Sequence, residues 1–424
     1  MIPAAGAFTA GARSRLLPAS VPLRYFGAAV LFHALAWVLL LLYPAELARF
    51  AAYGGLGPAL AALHLVTLGV LAMTAVGATL QLFPIATRQA VRSVAAARLV
   101  WWLLAPGVAL FAAGAASYRP QLLGAGAGLA VAALAVYGWL LFENLRHARG
   151  MRAVVSHGWG ALAALALLAA SGLALAAHYE HGLALDRNAF ATAHLVLATY
   201  GFMGLLAMGL SQFLLPMFAV SPAPSARSAY AALAAAATAI VLALAALMAS
   251  IPWLLGAAAL LGLGAAATHV LAMEGALRKR LRPQLGPAFL LVRVSWACLL
   301  ASLALAALIA FGWSPPGAAA TFGALLVPGW LLTFLLAVLQ RIVPFLATVH
   351  AGGQGRGAPL VSSFTPARTL AAHGVLHLAA LALLLAGAAL GTEWLVRAAA
   401  AAGLAAALAY GAFFVRVLAR LKED

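Results

Sequence analysis

Twelve times along this chain about twenty successive residues are almost free of charge, and that recurrence constrains the fold before anything else. A bilayer hydrocarbon core about 30 Å thick takes roughly 20 apolar residues per crossing helix. The stretches run approximately 23–44, 57–84, 97–117, 121–144, 157–178 and 190–218, then 228–249, 251–275, 287–312, 318–347, 367–390 and 393–418. They predict an all-α polytopic membrane protein, with residues 1–424 forming a single transmembrane domain. The composition agrees, with 66% hydrophobic and only 8% charged residues. A soluble domain carries about 25% charged residues, so a soluble enzyme, a disordered chain and a nucleic-acid-binding module are excluded. Spans 7 and 8 are separated only near Ile251-Pro252. The stretch Met1–Ser20 is too polar, and interrupted by Pro3 and Pro18, to read as a signal peptide.

The charges orient the spans. Lys and Arg number 25 against 8 Asp and Glu, a formal net charge of +17. Twenty of the 25 fall at the termini or beside the loops that follow even-numbered spans. The opposite loops hold only Arg49, Arg119, Arg187 and Arg397, and Arg293 lies in span 9. The positive-inside rule then predicts cytoplasmic N- and C-termini and a multi-pass protein of the bacterial cytoplasmic (inner) membrane. The net charge belongs to topology and to anionic lipid, with the bilayer as partner and no nucleic acid. A lone cysteine, Cys298, excludes an internal disulfide framework and a Cys-based zinc or iron–sulfur site.

Three even-numbered spans finish alike, with Gln81 before Pro84, Gln212 before Pro216 and Gln340 before Pro344. The glutamines are 131 and 128 residues apart, about four spans, which predicts three four-helix pseudo-repeats over approximately 23–144, 157–275 and 287–418. Each proline is expected to end its helix, since proline cannot continue the backbone bonding. Gly124 and Gly128 are expected at close helix contacts. The glycine-rich stretch Ala351–Ala367 is the longest expected loop.

Histidine is the polar residue present in quantity, 11 in all. His147, His157 and His350 are expected at the cytoplasmic interface, and His178 and His181 at the solvated outer rim. Six fall inside spans: His33, His64, His194, His269, His373 and His377. Ionisable side chains in a bilayer are expensive and point by default to a functional site. For His269 an interhelical hydrogen bond is the expectation. His64 and His194 lie at matching depths in spans 2 and 6, while His373 and His377 share one face of span 11. Imidazole is a common axial ligand of haem iron. His64 is the leading candidate ligand, with His194 or a span 11 histidine, His377 before His373, as partner or second site, and His33 a further candidate near mid-bilayer. Ala61, Ala72 and Ala75 fall on the His64 face at α-helical spacing and would give a macrocycle room. The alternative is a copper site built from His194 and Met208, imidazole and thioether being suitable copper ligands.

With these residues in view, the sequence resembles the catalytic subunit of the haem–copper oxidases and nitric oxide reductases. Twelve spans in three four-helix repeats carry the resemblance across the chain. The segment from His64 through Gly69 to Pro84 is similar to the haem-ligating helix of the nitric oxide reductases. The resemblance implies a haem–copper-oxidase-like fold and a haem b. The binuclear-centre ligands are absent, however: Ala231–Ser250 and Thr321–Val349 contain no histidine. Oxygen or nitric oxide reduction of the family type is therefore not expected, and whether any turnover occurs is left open. The sequence is closer in kind to degenerate relatives such as the NnrS-like membrane proteins. The expected function is haem binding in respiratory electron transfer or in binding nitric oxide or another gas, with respiratory subunits or an electron donor as partners. The alternatives are a transporter or chaperone for copper or a small solute, and a cofactor-free structural subunit of a respiratory complex.

Overall fold

The structure, a computed structural model, describes residues 15–351 and 360–423. Most of the N-terminal stretch Met1–Ser20 and the glycine-rich centre of the loop before span 11 lie outside the described residues. Twelve helices are long and apolar enough to cross a membrane. The first six are α1 (Ser20–Leu42), α2 (Pro58–Thr87), α3 (Val94–Ala116), α4 (Pro120–Arg146), α5 (Arg152–His181) and α6 (Arg187–Ala219). The rest are α7 (Ala226–Ala249), α8 (Pro252–Arg278), α9 (Pro287–Ala310), α10 (Ala318–Ala351), α11 (Ala367–Leu390) and α12 (Glu393–Leu421). No strand occurs among the described residues. A short helix, Glu46–Tyr53, precedes α2. The narrow break between α7 and α8 is made by Ser250, whose φ of 56° ends one helix, and by Pro252 at the first position of the next.

Hydropathy alone makes each of these segments a helix, because only internally bonded backbone is tolerated in lipid. Their arrangement follows from which faces are buried. The windows of α2, α6 and α10 are 61%, 83% and 67% buried, and no other span exceeds 56%. These three helices form the centre, and the π-segments of α2 and α6 both touch that of α10. The other spans surround them in a ring that closes where α1 packs on α12. Gly403 of α12 lies so close to Trp37 of α1 that a Cβ there would come within 2.3 Å of the indole.

Each central helix is interrupted by an eight-residue π-helical segment: Leu65–Ala72, Leu197–Gly204 and Leu325–Leu332. The fifth residue of each is glycine: Gly69, Gly201 and Gly329. A Cβ on these would come within 2.7 Å of Phe32 on α1, 2.8 Å of Ala164 on α5 and 3.0 Å of Cys298 on α9. The three helix pairs thus pack in one register. The prolines follow the same register, Pro84, Pro216 and Pro344 each standing nineteen residues after the start of its π-segment.

Two expectations about these elements need correcting. Pro84, Pro216 and Pro344 lie inside their helices, which continue to Thr87, Ala219 and Ala351. One missing N–H is tolerated at depth where neighbouring helices cover the freed carbonyl. Gly128 faces nothing within 4 Å, whereas Gly124 is at a close contact as expected, but with the Glu180 carboxylate of α5. The close α3–α4 contact is made instead by Gly107, Gly114 and Gly126, where a Cβ would lie 2.2–2.8 Å from the opposing backbone.

Two acidic side chains near membrane ends are paired with arginines. Glu143 binds Arg92 at 3.0 Å and Arg146 at 2.9 Å, and Glu274 binds Arg293 in a two-pronged pair at 2.7 and 3.2 Å. The Arg293 charge inside α9 is thereby answered from α8.

Candidate functional site

His64 and His194 meet. Their ring centroids are 6.4 Å apart with 31° between the planes. His64 lies six residues inside α2 and His194 seven inside α6, about 9 and 10 Å from the helix starts at 1.5 Å per residue. Both helices are held together just above the pair. Arg187, the first residue of α6, donates to Tyr53 O at 2.9 Å. Arg49 donates to Leu56 O at 3.0 Å and to Glu46 at 2.6 Å, and the adjacent carboxylate raises its already high pKa. Gly57, at a φ of 143°, then turns the chain into Pro58 at the start of α2. Only glycine suits that backbone beneath Arg49 and Tyr118. Asp186 caps α6 by accepting from Asn188 N and Ala189 N at 3.0 and 3.1 Å. Two of the four arginines in the loops that follow odd-numbered spans thus serve the entry to this pair.

The hydrogen bonds fix the tautomers. His64 Nδ1 lies 3.1 Å from Leu60 O, and a carbonyl only accepts, so Nδ1 carries the proton. His194 Nδ1 lies 3.2 Å from Ser171 Oγ, whose own proton goes to Leu168 O at 3.0 Å. His194 Nδ1 is therefore also the protonated nitrogen. Both Nε2 atoms are left with free lone pairs. The surroundings are shaped to the rings: Phe111 of α3 stacks 4.5 Å from His64, and Gly172 of α5 leaves space where a Cβ would crowd His194 to 3.1 Å. Both histidines are partly exposed at an apolar rim.

The donor chemistry, two imidazoles with bare Nε2 atoms, is of the kind an iron–porphyrin takes. Ligating histidines characteristically donate the other ring N–H to an oxygen acceptor. His64 and His194 would hold such a group through their Nε2 atoms. A porphyrin supplies four nitrogens and needs only two side chains, whereas a bare ion in a protein commonly takes three or four. No group of three or more His, Cys, Asp or Glu arranged to hold a metal occurs among the described residues.

The other candidates gather elsewhere. His373 and His377 of α11 stack at 5.9 Å and 17°, and Tyr410 of α12 lies 5.2 Å from His373. Gln340 Nε2 donates to His373 Nδ1 at 2.9 Å. His377 Nε2 donates at 2.8 Å to Thr333 Oγ1, whose proton goes to Pro328 O. His33 faces this group and accepts from Trp37 Nε1 at 2.9 Å, which occupies its Nε2. The structure groups His377 with α1, α10 and α12 and not with His64. Three atoms of this group, His373 Nε2, His377 Nδ1 and Tyr410 OH, are buried with no hydrogen-bond partner. His194 and Met208 do not meet: fourteen residues of helix separate them by about 21 Å.

Two further corrections concern depth and register. His157 is fully buried, not interfacial, and packs with its Cβ against Gly209 of α6. His269 makes an interhelical bond to Ser211 Oγ at 3.2 Å. The alanine stripe read from the His64 face breaks at the π-segment, where α-helical spacing no longer applies. Ala75 lines a cavity between α2, α6 and α10 instead. Neither Ser171 nor Leu60 was legible as a partner beforehand; serine one helix away from histidine carries no spacing signal.

No protein-family model matches the chain, and no curated protein matches it.

Proposed function

We propose that the chain is a haem-binding protein of the membrane in which His64 and His194 hold one haem b and serve electron transfer. The observation that carries this reading is the His64–His194 pair, with both Nδ1–H groups bound to oxygen and both Nε2 lone pairs free. The haem, when bound, would supply a one-electron ferric/ferrous couple. The chain's own part is to hold the two rings at that spacing, anchor them through Leu60 and Ser171, and surround them with Phe111 and the apolar faces of α3 and α5. Both histidines would be committed to holding the group, which favours electron transfer over gas binding at this site.

The registered π-segments, glycines and prolines of α2, α6 and α10 support three four-helix pseudo-repeats on a haem–copper-oxidase-like plan. The missing histidines of α7 and α10 keep that plan apart from oxygen or nitric oxide reduction. The distribution of arginines supports the bacterial cytoplasmic membrane, with the even-span loops in the cytoplasm and a respiratory subunit or electron donor as partner.

Detergent-purified protein, expressed with adequate haem supply, is expected to show a Soret band, sharp reduced bands and stoichiometric haem by pyridine haemochrome. His64→Ala and His194→Ala are each expected to abolish or shift those bands, while His181→Ala at the exposed rim leaves them unchanged. Unchanged spectra in both ligand variants would remove the pair from the account.

A further inference from the structure

A partly open cavity of about 60 Å³ lies among α2, α6 and α10, the three central helices. Its walls fall into tiers with one residue from each helix, spaced 132 and 128 residues apart. Thr74, Leu206 and Phe334 form the first tier, and Leu82, Leu214 and Ile342 the last. Between them Ala78 stands opposite Leu210 and Val338. The space exists because α2 presents small residues where its two counterparts present large ones. Restoring the counterpart residue at either position of α2 would close it, so the packing scheme does not demand the void.

The contents follow from the walls. A water molecule needs two to four polar partners, and apolar cavities stay dry. Here the lining is apolar apart from Thr74, whose hydroxyl is buried and has no hydrogen-bond partner. Thr79, Thr87 and Thr199 all bond back to the carbonyl four residues earlier, at 2.7, 2.7 and 2.8 Å. Thr74, just beyond the π-segment, does not, and its hydroxyl is the one polar group offered to a guest. One water fills roughly 10–15 Å³ on this measure, and an apolar cavity of about 150 Å³ holds benzene or xenon. A volume of 60 Å³ lies between these and suits a diatomic gas.

We infer that this axial cavity is a binding site for a small apolar gas of dioxygen's size, separate from the His64–His194 pair and independent of whether haem is bound there. Occupancy is governed by the volume that Thr74, Ala75 and Ala78 leave open.

The test uses the full-length protein in deuterated detergent with ¹³C-methyl methionine labels, under oxygen pressure and under argon. Met203 lines the cavity, and Met273 of α8 is also buried but lies outside it. Paramagnetic relaxation of the Met203 methyl by oxygen is expected to exceed that of Met273, as for a gas concentrated in an apolar cavity. Ala78→Leu, which copies Leu210, and Thr74→Leu, which copies Leu206, are each expected to bring Met203 down to the Met273 level. Equal relaxation at the two methyls in the parent protein, or an NOE from the Met203 methyl to water, would overturn the inference.

Discussion

At the scale of single residues, what distinguishes the histidines is which nitrogen is left bare. His64 and His194 each turn a lone pair outward because an oxygen holds the other nitrogen, and Ser171 is the more fragile of the two anchors. If the pair holds haem as proposed, Ser171→Ala is expected to weaken its retention by about 10–100-fold, as loss of an outer partner does at metal sites. Haem release to apomyoglobin measures this, and unchanged release would mean Ser171 does not anchor His194. In the other group Thr333 is the only acceptor for His377 Nε2–H. Thr333→Val keeps the shape and strands that donor, with an expected loss of about 1–3 kcal/mol. Thermal unfolding in detergent reads it, with the haem bands unmoved. None of these roles was visible in the sequence. The candidate residues were, because a histidine in an apolar run stands out, but their partners are ordinary serines, threonines and carbonyls brought together across helices.

At the scale of elements, the twelve spans were legible almost to their ends, since hydropathy is a property of each segment alone. Contacts between segments were less so. The proline at the end of an apolar run looks like a terminus, yet at Pro84 the backbone continues because neighbours shield it. The π-segments left no readable period, and with them the alanine stripe beside His64 was misplaced. Glycines show the same divide. Gly126→Ala places a methyl against the Phe111 backbone nitrogen and is expected to destabilise by about 1–3 kcal/mol. Gly128→Ala, one turn face away with open surroundings, is expected to be neutral or to stabilise by up to about 1 kcal/mol. A thermal-stability comparison of the two variants checks both expectations, and equal behaviour would contradict the α3–α4 contact described above.

At the scale of the whole molecule, the arginine distribution can be tested without disturbing the interior. The single native cysteine, Cys298, is buried, so introduced thiols report alone. Ala223→Cys lies in an exposed loop after α6 and Leu183→Cys in one after α5. A membrane-impermeant maleimide added to intact cells, after removal of any outer membrane, is expected to label Leu183→Cys and to reach Ala223→Cys only after lysis. The reverse pattern would invert the topology and place the His64–His194 pair towards the cytoplasm.

The closure of the ring by α1 against α12 also has a consequence for how the protein is made. Ribosomes add about 5–20 residues per second, so α1 enters the bilayer roughly 20–80 seconds before the helix that covers it has been synthesised. Through that interval the Trp37 face of α1, later locked against Gly403, has only lipid or a chaperoning insertase for company. A chain stopped before residue 393 would carry every candidate ligand and every π-segment, yet would expose an unsealed seam from its first helix to its eleventh. The last helix is thus the one whose arrival closes the ring and removes that seam from the bilayer.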